Sequence, residues 1–412
     1  MSRSISLRWL AVSVFIASST LNYLDRALLG VLIPLIMVDL HFNQTGYGWV
    51  LSIFSIVYAV GSLFSGWFLD RAGVNRGMTA AVTWWSAAAS ARGLIRSFPG
   101  LALTSAALAV GESAGVPSVG KTNGNYLKPE ERALGAAVNQ IGISVGFALA
   151  PLWIAVAAAD SWRTPFVITG LMSLLWIPLW LIVNRAIPPQ FPDRPASTTN
   201  AVRRSSFSLL ADSRLVTLVI ANALWMPSYS LWTNWTTLYL IHVDGVSLTQ
   251  AARYVWIPPL ISNLGGFFGG WLSLRWMRRG SEAVSARCKA VGISAAGMLI
   301  TLLLPMTKSP AAATVIISLS FFFALAGSVN IYALPIDLYG PERSGLSIAA
   351  LGFGYGLMQM MLSPIVGALS DRHLYTQIVW IVAIPPLLSA VLLIKGFRTL
   401  RSRPLRSSSP RA

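Results

Sequence analysis

The chain has 412 residues, of which 55% are hydrophobic and 11% charged, and its formal net charge is +17. Soluble domains carry about 25% charged residues, so this composition excludes an ordinary soluble domain and indicates a polytopic membrane protein. A single cysteine, Cys288, excludes a disulfide framework and a thiolate metal site. Because no phosphate-cradling loop, nucleophile elbow or metal-ligand cluster is recognisable, we expect no enzymatic activity, no catalytic residue and no cofactor or metal.

Apolar stretches of spanning length recur along the whole chain. A membrane-spanning helix needs about 20 mostly apolar residues. We therefore expect an all-α polytopic membrane protein with 12 transmembrane helices. The predicted spans cover 8–37, 46–69, 77–95, 100–126, 133–157, 164–184, 214–241, 251–276, 288–306, 310–338, 345–370 and 376–396.

The basic residues are distributed unevenly between the two sides of the predicted bundle. Most Lys and Arg fall in segments on the same side as the N-terminus, including the tail 397–412. This asymmetry predicts that both termini are cytoplasmic. We interpret the basic tail as an anchor at anionic lipid and expect no nucleic-acid partner. Only a few basic residues fall in the opposite loops: Arg92, Arg96, Arg163, Arg253, Lys308 and Arg372.

Two sequence echoes divide the chain into similar halves. Gly66–Arg71 after span 2 is echoed by Gly270–Arg275 after span 8, and Pro129–Arg132 before span 5 by Pro341–Arg343 before span 11. Six spans per half give both halves the same orientation, which places a site at the midplane between them. The predicted divisions are a first half at 1–184, a cytoplasmic linker at 185–213, a second half at 214–396 and the tail at 397–412.

Two acids, Asp25 and Glu112, lie in the middle of long apolar stretches. A charge at the bilayer centre costs about 2.5–3.5 kcal/mol even on the mildest scale, so such residues usually have a function. Asp25 is followed by Arg26, and neighbouring helical residues point about 100° apart. Asp25 can therefore face the fourth span while Arg26 faces the cavity. The alternative is a structural ion pair that locks the bundle.

The segment Gly66–Gly77 resembles the loop signature of the major facilitator superfamily. Within it, the chain resembles the anion:cation symporter family, close to bacterial hexuronate and sugar-acid transporters. The remaining segments that carry this resemblance are Asn22–Arg26, Gly111–Lys121, Glu131–Ala133, Asn139, Trp162–Gly170 and Asp337–Arg343.

The resemblance implies roles for the charged residues. It assigns proton coupling to Asp25 and Glu112, and the substrate carboxylate to Arg26, whose guanidinium binds carboxylates in a bidentate manner. In the family an arginine usually stands seven residues before the glutamate, but here that position is Ser105. The loss of this counter-charge weakens the anion prediction. Lys121 partly restores it, and can either line the cavity or extend towards the cytoplasm.

Polar and aromatic residues supply the remaining candidates for a sugar-acid site. Trp225 and Tyr229 follow a helical period with Asn222 and Trp232 in span 7. The alternative for each aromatic residue is packing or an interfacial belt. The candidate substrate-binding residues are Tyr23, Arg26, Tyr58, Lys121, Asn139, Gln140, Trp225, Tyr229, Tyr355 and Gln359. The candidate gating residues in the cytoplasmic loop are Gly66, Asp70, Arg71, Gly73 and Arg76.

These features predict a proton-coupled importer of an organic anion, with a hexuronate or aldonate as the substrate class. Alternating access would carry the anion and protons across the lipid bilayer, and a monomer is expected. A drug or cation exporter of the same fold is the alternative. Span 5 lacks the compact Gly-Pro signature of such exporters and contains Gly135, Gly142, Gly146 and Pro151 instead.

Overall fold

The computed structural model describes residues 2–128, 131–189 and 212–401. Most of the predicted linker (190–211) and of the basic tail (402–412) lies outside these ranges, as do Pro129 and Glu130 of the second echo. We call the end of the bundle at which the first helix begins the near side, and the opposite end the far side.

The first half consists of helices that correspond to the first six predicted spans. A 3-10 turn at Ala150–Leu152 joins the two helices of span 5. The helices are α1 (Ser2–Asp39), α2 (Gln44–Arg92), α3 (Phe98–Glu112), α4 (Gly115–Tyr126), α5 (Arg132–Leu149), α6 (Trp153–Ala159) and α7 (Arg163–Ala186).

The second half repeats this pattern, with a 3-10 stretch at Leu299–Met306 completing span 9. Its helices are α8 (Ser213–Trp225), α9 (Pro227–Asn234), α10 (Thr236–Asp244), α11 (Leu248–Ala251), α12 (Ile257–Arg278), α13 (Ala283–Met298), α14 (Pro310–Tyr339), α15 (Pro341–Asp371), α16 (Tyr375–Ala383) and α17 (Pro385–Arg401).

The all-α polytopic fold is confirmed. Nine helical segments within the described ranges are long and apolar enough to cross a membrane. Each of the twelve predicted spans coincides with helix, which is consistent with twelve crossings. Spans 2 and 3 both lie in α2, where Gly73 turns the chain with φ 74°. Only glycine readily adopts this left-handed conformation.

Several helices begin at capping residues on the far side. Asn43 accepts a hydrogen bond from the backbone N–H of Gly46 (2.9 Å), and Ser97 accepts one from Gly100 (3.3 Å). Ser309 does the same for the N–H of Ala312 at the start of α14. Such caps satisfy N–H groups that have no partner within the helix. The sequence thus fixes where these spans start.

The first and last six spans contact each other closely on the far side. Gly48 of α2 faces the backbone of Ser363 in α15, and Gly367 faces the backbone of Gln44, with no room for a Cβ at either glycine. Hydrogen bonds accompany this contact. Among the described residues, they join Asp371 to Gln44 and Thr45, Tyr47 to Asn234, Ser52 to Met360, and Ser144 to Asn263.

A continuous apolar core reinforces this closure. It includes Leu32 and Ile36 of α1 together with Trp235 and Leu238 of the second half. On the near side, the first half has a core of its own, in which Phe15 packs between Trp176 and Trp180. The far side is therefore closed by both halves together.

Candidate functional site

Arg26 forms an ion pair with Glu112 at the centre of the first half. Its Nε donates to Oε2 of this carboxylate, which ends α3 and is fully buried. The second carboxylate oxygen, Oε1, has no hydrogen-bond partner among the described residues. The chain continues into α4 after a short break at Ser113 and Ala114, so Glu112 lies where span 4 is interrupted. A discontinuous helix at the midplane is typical of transporter binding sites.

Three aromatic rings surround the Arg26 guanidinium. Its central carbon lies 4.9 Å from the ring centre of Tyr23, 5.1 Å from that of Phe54 and 4.4 Å from that of Tyr58. These distances fall within the range of cation–π contacts, which hold the guanidinium in place. The Arg26 side chain remains 20% exposed. A guanidinium that is both fixed and reachable can bind a second anion besides Glu112.

Tyrosines of the second half complete the surroundings of Arg26. The Tyr229 ring lies 6.3 Å from that of Tyr355 and 5.4 Å from that of Phe321. The Arg26 charge interacts with both Tyr229 and Tyr355 across the gap between the halves. Tyr332 is adjacent and accepts a hydrogen bond from Asn222 (3.5 Å). The structure thus brings Tyr23, Arg26 and Tyr58 together with Tyr229 and Tyr355.

Asp25 lies on a different face of α1 from Arg26. It is fully buried, and neither carboxylate oxygen has a hydrogen-bond partner among the described residues. The side chain of Thr169 in α7 faces it, and the charges of Glu112 and Arg92 act on it. Of the two expected orientations, that of Asp25 is wrong: Arg26 contacts Glu112 of the fourth span, and Asp25 faces Thr169 of α7. The adjacent residues diverge because neighbouring helical positions point about 100° apart.

Arg92 is a buried charged residue near the site that the sequence analysis missed. We expected it in a loop, but it ends α2 inside the bundle and is only 1% exposed. Its Nη2 donates to the Ser105 hydroxyl at 2.9 Å, and its guanidinium lies 5.4 Å from the Phe166 ring centre. The expectation that no positive charge stands at Ser105 is wrong, because Arg92 supplies one from the neighbouring helix.

A small cavity, lined by both polar and apolar side chains, adjoins Glu112 on the near side. Its volume of about 20 Å³ is room for one water molecule. Asn139 lines it and its Oδ1 has no partner among the described residues, whereas Gln140 is not part of the lining. The other lining side chains include Ser18, Ser19, Asn22, Tyr23 and Tyr58. The polar groups of this lining can hydrogen-bond a single water molecule beside Glu112.

Lys121 lies with the candidate gating residues instead of the cavity. Its ammonium group forms an ion pair with Asp70, so of the two expected placements the structure shows the one towards the near side. Arg71 rests on the Trp67 ring at 4.6 Å, and Arg76 is exposed. Gly66 has open space around its Cα, and Gly73 makes the turn described above.

Trp225 is a packing residue in the structure. It is fully buried, its Nε1 donates to the Ala324 carbonyl at 2.8 Å, and its ring contacts Gly327 of α14. The expected single face of span 7 is broken because α8 ends at Trp225 and α9 starts at Pro227. Gln359 is buried on α15, one helical turn beyond Tyr355. Substrate contacts of these residues stay predictions.

Comparison with protein families identifies the fold. The family model of the Major Facilitator Superfamily matches residues 15–333. The chain belongs to this superfamily. A superfamily member is a multi-pass membrane transporter, and this description agrees with the helical bundle and its midplane charges.

Several relatives that the chain resembles are named as sugar-acid transporters, and one is named as an efflux pump. The hexuronate transporter of Escherichia coli strain K12 is 24% identical over 406 residues, which cover 94% of this chain and 93% of that protein. An MFS-type efflux pump of Mycolicibacterium smegmatis is 30% identical over 280 residues, covering 66% of this chain and 63% of the pump. A bacterial homologue of the lysosomal transporter Spinster, solved in an inward-facing and occupied conformation, superposes with a TM-score of 0.71 at 20% identity, covering 98% of both chains.

Proposed function

We propose that this superfamily member is a proton-coupled symporter that imports an organic anion, with a sugar acid such as a hexuronate or aldonate as its substrate class. The observation that supports this most directly is the shared position of Arg26. This cation contacts the buried Glu112 on one side and stays exposed to the gap between the halves on the other. A substrate carboxylate and the Glu112 carboxylate can therefore compete for the same guanidinium.

The competition provides a coupling mechanism. When Glu112 is ionised, it occupies Arg26, and little positive charge remains for the substrate. When Glu112 accepts a proton, its charge disappears and the guanidinium becomes free to bind the substrate carboxylate with two parallel hydrogen bonds. Binding of the anion and of the proton are then mutually favourable, which is the requirement for symport.

The aromatic residues suit the non-ionic part of a sugar acid. Tyr23 and Tyr58 present flat apolar faces beside Arg26, and their hydroxyl groups can donate or accept hydrogen bonds. Tyr229 and Tyr355 offer the same chemistry from the second half. A polyhydroxylated ring bound between the halves would contact both, so its binding would favour closure around it.

The orientation follows from the charge distribution. We propose that the near side is cytoplasmic, with both termini there, in a bacterial inner membrane. The closed far side is then external, and the structure represents an inward-facing conformation. The Asp70–Lys121 pair and the residues Gly66, Arg71, Gly73 and Arg76 would form a cytoplasmic gate. We propose a monomer, since each half supplies part of one site.

The number of protons carried with each anion determines whether transport moves net charge across the membrane. If Asp25 and Glu112 both carry a proton with each monoanion, net charge +1 enters per cycle. A membrane potential then contributes about 2.3 kcal/mol per 100 mV to uptake. One proton per monoanion would instead be electroneutral. Uptake at a clamped potassium-diffusion potential distinguishes the two stoichiometries.

An exporter of drugs or cations is the second candidate, and the similarity to the mycobacterial efflux pump favours it. The site argues against a cationic substrate, because Arg26 is exposed to the gap and Arg92 lies buried in the same half. Protonation of Glu112 would leave the Arg26 guanidinium uncompensated, and such a positive charge repels a cation. An exporter of a neutral compound would tolerate these charges better.

Uptake into proteoliposomes under an inward proton gradient tests the proposal. The substrates are glucuronate, galacturonate, galactonate and uncharged glucose, and the variants are Glu112→Gln and the control Glu282→Gln in an exposed loop. We expect accumulation of an acid but not of glucose. Glu112→Gln should abolish accumulation but keep counterflow exchange. Equal uptake of glucose, or accumulation that persists in Glu112→Gln, would overturn the proposal.

A further inference from the structure

Four buried polar atoms that lack a hydrogen-bond partner belong to residues around a single cavity. It is the small cavity beside Glu112, whose volume of about 20 Å³ is room for one water molecule. Within the part of the chain that the structure describes, the atoms are Nδ2 of Asn22, Nε1 of Trp85, Oε1 of Glu112 and Oδ1 of Asn139. An unpaired buried polar atom is costly, so four of them around one cavity indicate a shared ligand.

These atoms are two hydrogen-bond donors and two acceptors. The N–H groups of Asn22 and Trp85 can only donate. The ionised Glu112 oxygen and the amide oxygen of Asn139 can only accept. A water molecule accepts two hydrogen bonds and donates two, so a single water can satisfy all four atoms. The four residues belong to α1, α2, α3 and α5, so this water would link four helices of the first half.

The same atoms disfavour an ion as the ligand. Hard metal cations bind through several oxygen atoms, whereas two of the atoms here carry N–H hydrogens whose positive ends repel a cation. The Arg26 guanidinium, on the other carboxylate oxygen of Glu112, adds a further positive charge. An anion would be repelled by the Glu112 carboxylate and by the Asn139 oxygen. A small neutral ligand with both donors and acceptors remains, and water has this chemistry.

We propose that the cavity binds one water molecule and no metal cation, so that Glu112 exchanges a proton and not a sodium ion. The proposal rests on the proposed role of Glu112 in coupling and specifies the coupling ion. The water donates a hydrogen bond to the ionised Oε1. When Oε1 holds a proton, its O–H becomes the donor and the water rotates to accept from it. A neutral ligand that can reverse this hydrogen bond serves both states of the carboxyl group.

The chain offers a matched control for the Trp85 contact. Trp84 is the preceding residue of α2, but it is exposed, and its Nε1 donates to the Ala107 carbonyl at 2.7 Å. It does not line the cavity. Trp85→Phe therefore removes an indole N–H at the cavity, whereas Trp84→Phe removes the same group outside it. Asn139→Leu removes one of the two acceptors without changing the net charge.

Infrared difference spectroscopy on the purified, full-length protein detects the water. Spectra are recorded on both sides of the pH at which the carboxyl band that Glu112→Gln removes is seen to change. A water O–H stretching band moves to lower frequency in water labelled with the heavy oxygen isotope, and protein bands do not. We expect such a band in wild type and Trp84→Phe, and its loss in Trp85→Phe and Asn139→Leu. The melting temperature in the same detergent shows that each variant is folded.

Two results of this experiment would overturn the proposal. One is the absence of an isotope-sensitive band from wild type, and the other is its persistence in both Trp85→Phe and Asn139→Leu. The spectra are then repeated with sodium chloride in place of choline chloride. We expect the water band to be unchanged. A water band that disappears when sodium is added would show that a cation enters the cavity, and this would also overturn the proposal.

The water site and the proposed function fail in different ways. If wild type shows the water band but no uptake of an acid, the proposed function is wrong and the water site stands. If uptake is proton-driven but the band is absent, the water site is wrong and the proposed function stands. Acid uptake driven by a sodium gradient at equal pH, and lost in Glu112→Gln, would contradict the selection of protons while leaving anion import intact.

Discussion

Asp371, the last residue of α15, accepts hydrogen bonds from both the backbone N–H (2.9 Å) and the side-chain hydroxyl of Thr45, in the first turn of α2. It also accepts one from the N–H of Gln44 at 2.9 Å. A carboxylate at a helix N-terminus satisfies unpaired N–H groups and interacts favourably with the helix dipole. Here the acid and the helix belong to opposite halves, so this contact holds the far side closed.

Replacing Asp371 should shift the equilibrium between the far-side-closed and far-side-open conformations. Hydrogen bonds to a charged group contribute about 1.5–3 kcal/mol, so Asp371→Asn should increase the far-side-open population about tenfold or more. Cysteine labelling from the far side at Ser363→Cys measures this. Arg372→Gln, the neighbouring exposed charge, is the control and should leave labelling unchanged. Equal labelling of Asp371→Asn and wild type would show that the contact does not hold the closed state.

Glycine packing makes an independent steric prediction at the same contact. A Cβ on Gly48 would overlap the backbone of Ser363, whereas Gly66 has open space. Overpacking costs about 1–3 kcal/mol, so Gly48→Ala should also favour the far-side-open state, while Gly66→Ala should not. The same far-side labelling assay reports both variants. A Gly48→Ala protein that labels like wild type would contradict the close contact between α2 and α15.

The Asp70–Lys121 pair predicts a gating phenotype for both residues. The pair is partly exposed, so each of Asp70→Asn and Lys121→Gln should change turnover only a few-fold. The swapped variant Asp70→Lys/Lys121→Asp should recover most of the wild-type rate. KM should stay within about twofold throughout, as in the exposed control Lys128→Gln. A large rise in KM for Lys121→Gln alone would indicate that this lysine contacts the substrate.

Because span 7 is broken, we expect Trp225 to affect stability and Tyr229 to affect substrate binding. Trp225→Phe removes the hydrogen bond to the Ala324 carbonyl and part of the packing on Gly327, so the melting temperature should fall while KM stays unchanged. Tyr229→Phe removes a hydroxyl beside Arg26, so KM should rise several-fold with little effect on melting. Thermal denaturation and uptake kinetics of both variants check this. The opposite pattern would place Trp225 at the substrate.

Asp244, at the end of α10, predicts a pH effect on stability. Burial raises the pKa of this carboxyl, and its Oδ2 has no partner among the described residues. The folded state therefore binds its proton more tightly than the unfolded state, and stability falls as pH rises above about 4. Asp244→Asn should raise the melting temperature at pH 7 by about 1–2 °C and have no such benefit at pH 4.

The exposed acid Glu282 provides the control for this measurement. Glu282→Gln should leave the melting temperature nearly unchanged at both pH values. An equal gain for the two variants would indicate a general charge effect of the basic protein, whose net charge is +17, and not the burial of Asp244.

The spans and the midplane acids could be predicted because a bilayer imposes strict rules on length and charge. The position of Arg92 inside the bundle could not be predicted, because a charged residue at the end of an apolar stretch normally lies in a loop. Its helical phase was the available signal, since the helix that follows the turn at Gly73 continues to this residue. The partner of Lys121 is 51 positions away in sequence, and no local pattern reveals such a pair.

Span 7 shows a further physical limit of sequence patterns. The period that joins Asn222, Trp225 and Tyr229 assumes one continuous helix. Pro227 lacks an N–H and begins a new helix instead, so the residues before and after it face different neighbours. The period predicted that Trp225 and Tyr229 share one face, and this is wrong for that reason.

The glycine contact between α2 and α15 has a consequence for speed. Gly48 and Gly367 bring backbone against backbone, so closing the far side immobilises few flexible side chains at these positions. Side-chain ordering costs up to about 2 kcal/mol for each long residue, and glycine contributes none of it. The contact can therefore form and separate without a large entropic barrier. A surface that must open and close in every transport cycle therefore loses little side-chain entropy each time it closes.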